Sequence, residues 1–84
     1  MTKIFYKSSV SRDLKEIDPN DVDRILHQIR SSLGKNPRAG EPLHGEFAGL
    51  YKLRVGDYRV IYAISGRDVI VLRVGHRSRA YKNN

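Results

Sequence analysis

Eighty-four residues fit a single compact domain, residues 1–84, with room for one site and no separate regulatory module. Hydrophobic residues make up 39% of the chain, with no tryptophan and two phenylalanines, so a small aliphatic core is expected and a deep enclosed cofactor pocket is not. The lack of cysteine excludes a disulfide scaffold, a thiolate nucleophile and any Cys-based zinc or iron-sulfur site, while 16 Lys and Arg against 9 Asp and Glu leave a net charge of +7 that points to a polyanionic partner.

Taken in chain order, residues 3–7 are β-branched and aromatic enough to read as a short strand, and Ser8 or Ser9 can cap a following helix. Val10, Leu14 and Ile17 recur as one apolar stripe over about two turns. Asp18-Pro19-Asn20-Asp21 then restarts the helix: Asp18 can cap it, Pro19 suits its first position, and Asp21 favours the positive end of the dipole. Val22, Ile25, Leu26, Ile29 and Leu33 keep helical spacing, with Gly34 expected as the C-terminal stop. Residues 36–45, with two prolines and two glycines, read as a loop.

From Leu50 the period changes to two, and three consecutive strands are expected, separated by turns at Gly56-Asp57 and Gly66-Arg67. The order β-α-α-β-β-β predicts an α+β fold, a small antiparallel sheet with two N-terminal helices packed on one face. The longest apolar runs, such as residues 69–72, are too short to span a bilayer, and residues 1–7 hold no signal-peptide core. A cytoplasmic protein without membrane contact is expected.

The charge is unevenly placed. Residues 1–51 carry eight basic and seven acidic side chains, whereas residues 52–84 carry eight basic and two acidic, so nearly all of the surplus lies in the C-terminal part. Counting out from a Gly56-Asp57 turn pairs Val55 with Tyr58, Arg54 with Arg59, Leu53 with Val60 and Lys52 with Ile61. Tyr51, Leu53, Val55, Tyr58, Val60 and Tyr62 then share the face that the helices cover, and Lys52, Arg54 and Arg59 share the other. Like charges directly across a strand pair repel, and an anion lodged between Arg54 and Arg59 would relieve that cost, which makes the pair a candidate phosphate site. Counting from Gly66-Arg67 pairs Ile61 with Leu72 and Arg59 with Val74, so residues 75–82 leave the sheet beside Arg59. They bring His76, Arg77, Arg79, Tyr81 and Lys82 to the same region. Cations interleaved with an aromatic ring suit single-stranded RNA, whose phosphates take guanidinium groups and whose unpaired bases stack.

The strand-helix-helix-sheet order, the Glu41-Pro42-Leu43-His44-Gly45 loop, the hairpin string of residues 50–62 and the Val74-Gly75-His76-Arg77 ending resemble the RelE/ParE toxin superfamily over nearly the whole chain. The resemblance is closer to RelE and YoeB, ribosome-dependent endoribonucleases that cut mRNA in the decoding site, than to ParE, which poisons DNA gyrase. It implies the toxin of a type II toxin-antitoxin system that inhibits translation. Lys52 and Arg59 match basic groups around the scissile phosphate, Arg77 the arginine at the leaving oxygen, and Tyr81 the tyrosine that stacks on a base. Arg54 departs from the RelE pattern, which has a lysine there as proposed general base, and arginine is a poor base. Glu41 and His76 fall where YoeB has its catalytic glutamate and histidine.

The implied reaction is attack of a ribose 2′-OH on the adjacent phosphorus, without metal or cofactor. Arg54, Arg59 and Arg77 would clamp the phosphate, His76 would act as acid, and Glu41, or second to it Lys52, as base. Lys52, Arg79, Tyr81 and Lys82 would hold RNA. His27 reads as helix surface, and nothing near His44 suggests metal-ligand spacing. The implied partners are a RelB-like antitoxin, mRNA in the ribosomal decoding site with ribosomal RNA, and operator DNA only through the antitoxin. The alternatives are a ParE-like inhibitor of gyrase without nuclease activity and a basic module that holds nucleic acid without cutting it.

Overall fold

Helical and two-residue periodicities each build the element that they specify. In the computed structural model, which describes residues 2–78, β1 (Ile4–Tyr6) leads into α1 (Ser8–Lys15) and α2 (Pro19–Gln28), followed by β2 (Glu41–Pro42), β3 (Tyr51–Val55), β4 (Tyr58–Ser65) and β5 (Asp68–His76). The fold is α+β, with one five-stranded sheet in the order β1-β5-β4-β3-β2. Val10 of α1 and Ile25 of α2, with Ile29 and Leu33 beyond it, pack on Val55, Val60, Tyr62, Val69, Val71 and Val74, so both helices cover the same face. Each such aliphatic side chain contributes about 1.5–3 kcal/mol when fully buried. The sheet is mixed rather than wholly antiparallel, because β1 lies parallel to β5 with Ile4 opposite Val69 and Tyr6 opposite Val71.

Asp18 caps α2 as its position predicts, accepting from the Asn20 N–H at 2.9 Å, with Pro19 at the start of the helix. Two helix boundaries differ from expectation. Lys7, not a serine, precedes α1, and Ser9 instead donates its hydroxyl to the Leu72 carbonyl at 2.7 Å. Gly34 does not stop the second helix, which runs on through a π-helical turn (Ile29–Leu33), with Gly34 itself in the right-handed region. The stop is Asn36, extended at φ −150° before Pro37, since a following proline disfavours the helical conformation.

The β3–β4 hairpin has the counted register, with Val55 opposite Tyr58, Arg54 opposite Arg59, Leu53 opposite Val60 and Lys52 opposite Ile61. Gly56 has φ +59° and Asp57 a negative φ, the combination of a type II′ turn. The β4–β5 turn also falls at Gly66-Arg67, with Ser65 opposite Asp68. Further along, the counted pairing fails. Tyr62 faces Val71 but Ile61 faces Arg73, so Leu72 is an extra, bulged residue, and Arg59 faces Gly75 rather than Val74.

The cause lies on the outer side of β5. Its pairing with β1 ends at Val71, and α1 supplies the next partners: Ser9 for the Leu72 carbonyl, and Asp13, which accepts from the Val74 N–H at 2.9 Å and from the Arg73 guanidinium at 2.9 and 3.0 Å. One extra residue exchanges the faces of everything after it. Val74 therefore turns into the core, opposite Val60, and His76 comes to stand opposite Tyr58. Among the described residues, no helix is long and apolar enough to cross a membrane.

Asp13 is thus expected to hold the bulge. Asp13→Ala leaves the half-buried Val74 N–H without its acceptor and should lower stability by about 1–3 kcal/mol, whereas Asp13→Asn, which keeps an acceptor oxygen, should lose less. Urea unfolding of the two variants checks the order.

Candidate active site

Strand alternation sets Glu41, Lys52, Arg54 and Arg59 on the face turned away from the helices. Glu41 and Lys52 are register partners across β2 and β3, with a carboxylate oxygen 3.9 Å from the ammonium nitrogen. The two differ in exposure: 74% of the Glu41 side chain is open to solvent but 19% of Lys52. Next along the hairpin, Arg54 and Arg59 face each other directly. Arg54 is exposed. The Arg59 Nη1 is buried with no hydrogen-bond partner among the described residues. A buried donor left unpaired costs about 1–3 kcal/mol, and the opposed like charges add about 0.2–1 kcal/mol. An oxyanion placed between the two guanidinium groups would relieve their repulsion.

The segment that carries Glu41 is held from below. Tyr62 of β4 donates its hydroxyl to the Pro37 carbonyl at 2.7 Å and accepts from the Gly40 N–H at 3.0 Å. Its ring stacks on Tyr51, with centroids 5.4 Å apart, and the Tyr51 hydroxyl accepts from Arg38 at 3.2 Å. Burial pushes the Tyr62 phenol above its ordinary value of 10.0, and the Gly40 hydrogen bond opposes part of that shift. None of these loop contacts was apparent from residue spacing. A buried tyrosine generally needs a partner for its hydroxyl, and that was the available signal.

His76 does not join the arginines. As the register partner of Tyr58 it packs edge-on against that ring, with centroids 5.7 Å apart at 84°. The Tyr58 hydroxyl donates to Asp21 of α2 at 3.3 Å, which marks this as the helix-covered side. Together they line a cleft of about 310 Å³ with Arg12, Asp13, Glu16 and Ile17 of the helical segment. The expectation of His76 beside Arg54 and Arg59 followed from an unbroken ladder, and the Leu72 bulge reverses it. The Ser78 N–H points to His76 Nδ1 at 3.3 Å. Arg77, exposed, continues the ladder through its N–H to the Asp57 carbonyl at 2.7 Å. It lies one residue beyond the end of β5. Arg79, Tyr81 and Lys82 lie outside the described residues. Among the described residues, no group of three or more His, Asp or Glu could hold a metal ion.

Residues 4–81 match the family model described as ParE toxin of type II toxin-antitoxin system, parDE. The chain belongs to this toxin family. Toxin RelG of Mycobacterium tuberculosis (strain ATCC 25618 / H37Rv) is 32% identical to it over 80 residues, 92% of each chain. Toxin RelE of the same strain is also 32% identical over 80 residues, 92% of this chain and 82% of its own. The solved toxin-antitoxin complex RelBE2 from M. tuberculosis contains a chain that is similar at a TM-score of 0.84 and 31% identity, over 89% of this chain and 96% of that one. Membership of the RelE/ParE superfamily, expected from the hairpin string, is therefore shown.

Two expectations follow for the toxin. Arg59→Leu removes an unpaired buried donor and a cross-strand repulsion, and should raise stability in urea by about 1 kcal/mol at low ionic strength, a gain that added phosphate narrows by stabilising the wild type. Because the folded Tyr62 value is raised, the unfolded chain loses that proton first. The stabilisation from neutral Tyr62 is complete below about pH 10 and is lost as pH rises through the folded value. The stability difference between wild type and Tyr62→Phe should be constant below pH 10 and shrink above it in urea titrations.

Proposed function

We propose that this toxin is an endoribonuclease that cuts mRNA in the ribosomal decoding site by attack of a 2′-OH on the adjacent phosphate. The observation that carries the reading is the unpartnered, buried Nη1 of Arg59, directly across from Arg54 and on the same sheet face as Glu41 and Lys52. A preorganised pair of guanidiniums suits a phosphorane, whose charge exceeds that of the ground-state diester, so the clamp favours the transition state over the substrate.

The roles follow from chemistry and exposure. Glu41, the open carboxylate, takes the 2′-OH proton as the 2′-O–P bond forms. Lys52, beside that carboxylate, presents an ammonium to the phosphate. Arg54 and Arg59 hold the non-bridging oxygens, and Arg77 stabilises O5′ as the P–O5′ bond breaks, with its proton drawn from water. The products are a 2′,3′-cyclic phosphate and a 5′-hydroxyl. The nucleophile belongs to the RNA and the counter-charge to side chains, so the mechanism is metal-independent. His76, expected as the acid, has no step in this scheme because its ring packs on Tyr58. The partner that silences the toxin is a RelB-like antitoxin, as the relative solved within the RelBE2 toxin-antitoxin complex suggests, and operator DNA is met only through it.

Mapping of 5′ ends after induction tests the activity: new ends inside translated codons are expected. DNA-damage signalling without such ends would instead mean gyrase inhibition, the reading favoured by the parDE description of the family model, and neither response would mean a non-catalytic binding module. Arg59→Ala and Arg77→Ala should abolish both toxicity and cutting with the fold intact by circular dichroism, while His76→Ala should stay within a few-fold of wild type. In single-turnover cleavage on programmed ribosomes, Glu41→Gln should lose about 10²-fold or more, the scale of acid-base help, and more than Lys52→Ala. The reverse order would make Lys52 the base.

A further inference from the structure

We infer that Tyr62 is a positioning residue for Glu41, and that it acts together with the bare Cα of Gly40 to seat the segment delivering that carboxylate to Lys52. The inference rests on the ribonuclease reading for its catalytic consequence and on geometry for its structural part. Glu41 lies in a two-residue strand, too short to fix its own position, and its ion pair with Lys52 is 3.9 Å long with the carboxylate largely in solvent. Such a pair is worth about 0–1 kcal/mol and cannot seat a chain segment.

The seat is supplied one residue earlier. The Tyr62 hydroxyl spans the segment, donating to Pro37 and accepting from Gly40, so both of these backbone groups are fixed by a side chain of the central strand. Gly40 is in close contact with the sheet: a Cβ there would stand 2.6 Å from the Lys52 carbonyl oxygen and 2.6 Å from the Tyr62 hydroxyl. Its φ of −79° is open to any residue, so the glycine is needed for clearance and not for conformation. Two independent features, a hydroxyl with both bonding directions used and an absent methyl group, therefore converge on the residue before Glu41. They set its distance from the backbone of Lys52. A phenylalanine at position 62 would fill the core equally well and leave the segment unseated.

Position matters because misplacement of a catalytic group by about 1 Å can cost up to about 10²-fold in rate. Tyr62→Phe should lower the single-turnover cleavage rate about 10-fold, with the half-saturating ribosome concentration unchanged. In a Glu41→Gln background the same substitution should change the rate less than about twofold, because the group it positions is already disabled. Gly40→Ala should show the same non-additivity. Hydrogen exchange provides a readout independent of cutting: in Tyr62→Phe the Gly40 amide should exchange about 10-fold faster under conditions where local opening dominates, an increase larger than any at the amides of Val60 and Val71, which follow global stability.

An equal rate loss in both backgrounds would mean a merely structural role and would overturn the inference, as would an undiminished rate in Tyr62→Phe or an unchanged Gly40 amide. A wild type that cuts no RNA, or Glu41→Gln at full rate, would overturn the ribonuclease role of Glu41. The Gly40 exchange rate would still decide whether Tyr62 seats the segment.

Discussion

The β3–β4 hairpin turns in two residues because Gly56 adopts a left-handed φ, and the faces of the central sheet follow from that turn. A two-residue loop admits one register. Val55 must face Tyr58, so Arg54 must face Arg59, and every second residue from there outward joins the core or the cationic face. Lengthening the loop by one residue would slide Val60 and Tyr62 out from under the helices. The aliphatic core and the arginine pair are two sides of one register, and neither can shift without the other.

That coupling explains how a small chain tolerates a local conflict. An unpaired Nη1 and two opposed arginines are features that a sequence tuned for stability alone would remove. They persist in the middle of a hairpin because Val55, Val60 and Tyr62, buried on the opposite side of the same two strands, leave the arginines no alternative pairing. The apolar face holds the strain in place.

Local periodicity made much of this legible in the sequence, and contacts distant along the chain account for the rest. The hairpin register, the Asp18 cap and the apolar stripe of the second helix depend on neighbours within a few residues, so their patterns declare them. The Leu72 bulge depends on Ser9 and Asp13, about sixty residues away, and no count along β5 could include it. That omission moved His76 to the wrong side. Gly34 was misleading for a related reason: burial of both Ile29 and Leu33 carries the helix past a residue that locally favours an end. The seating of Glu41 was hidden because Tyr62 fits an apolar stripe by its ring, while its hydroxyl reaches a loop more than twenty residues earlier.

The caps that α1 places on β5 have a further consequence. Exposed edge strands are templates for pairing with other chains. Here the outermost strands are three and two residues long, and where β5 outruns β1, the Leu72 carbonyl and the Val74 N–H are already occupied by Ser9 and Asp13. Along this stretch of β5, those two backbone groups are not free for a second copy to extend. The serine and aspartate that shape the bulge thereby also shield this part of the β5 edge from edge-to-edge pairing.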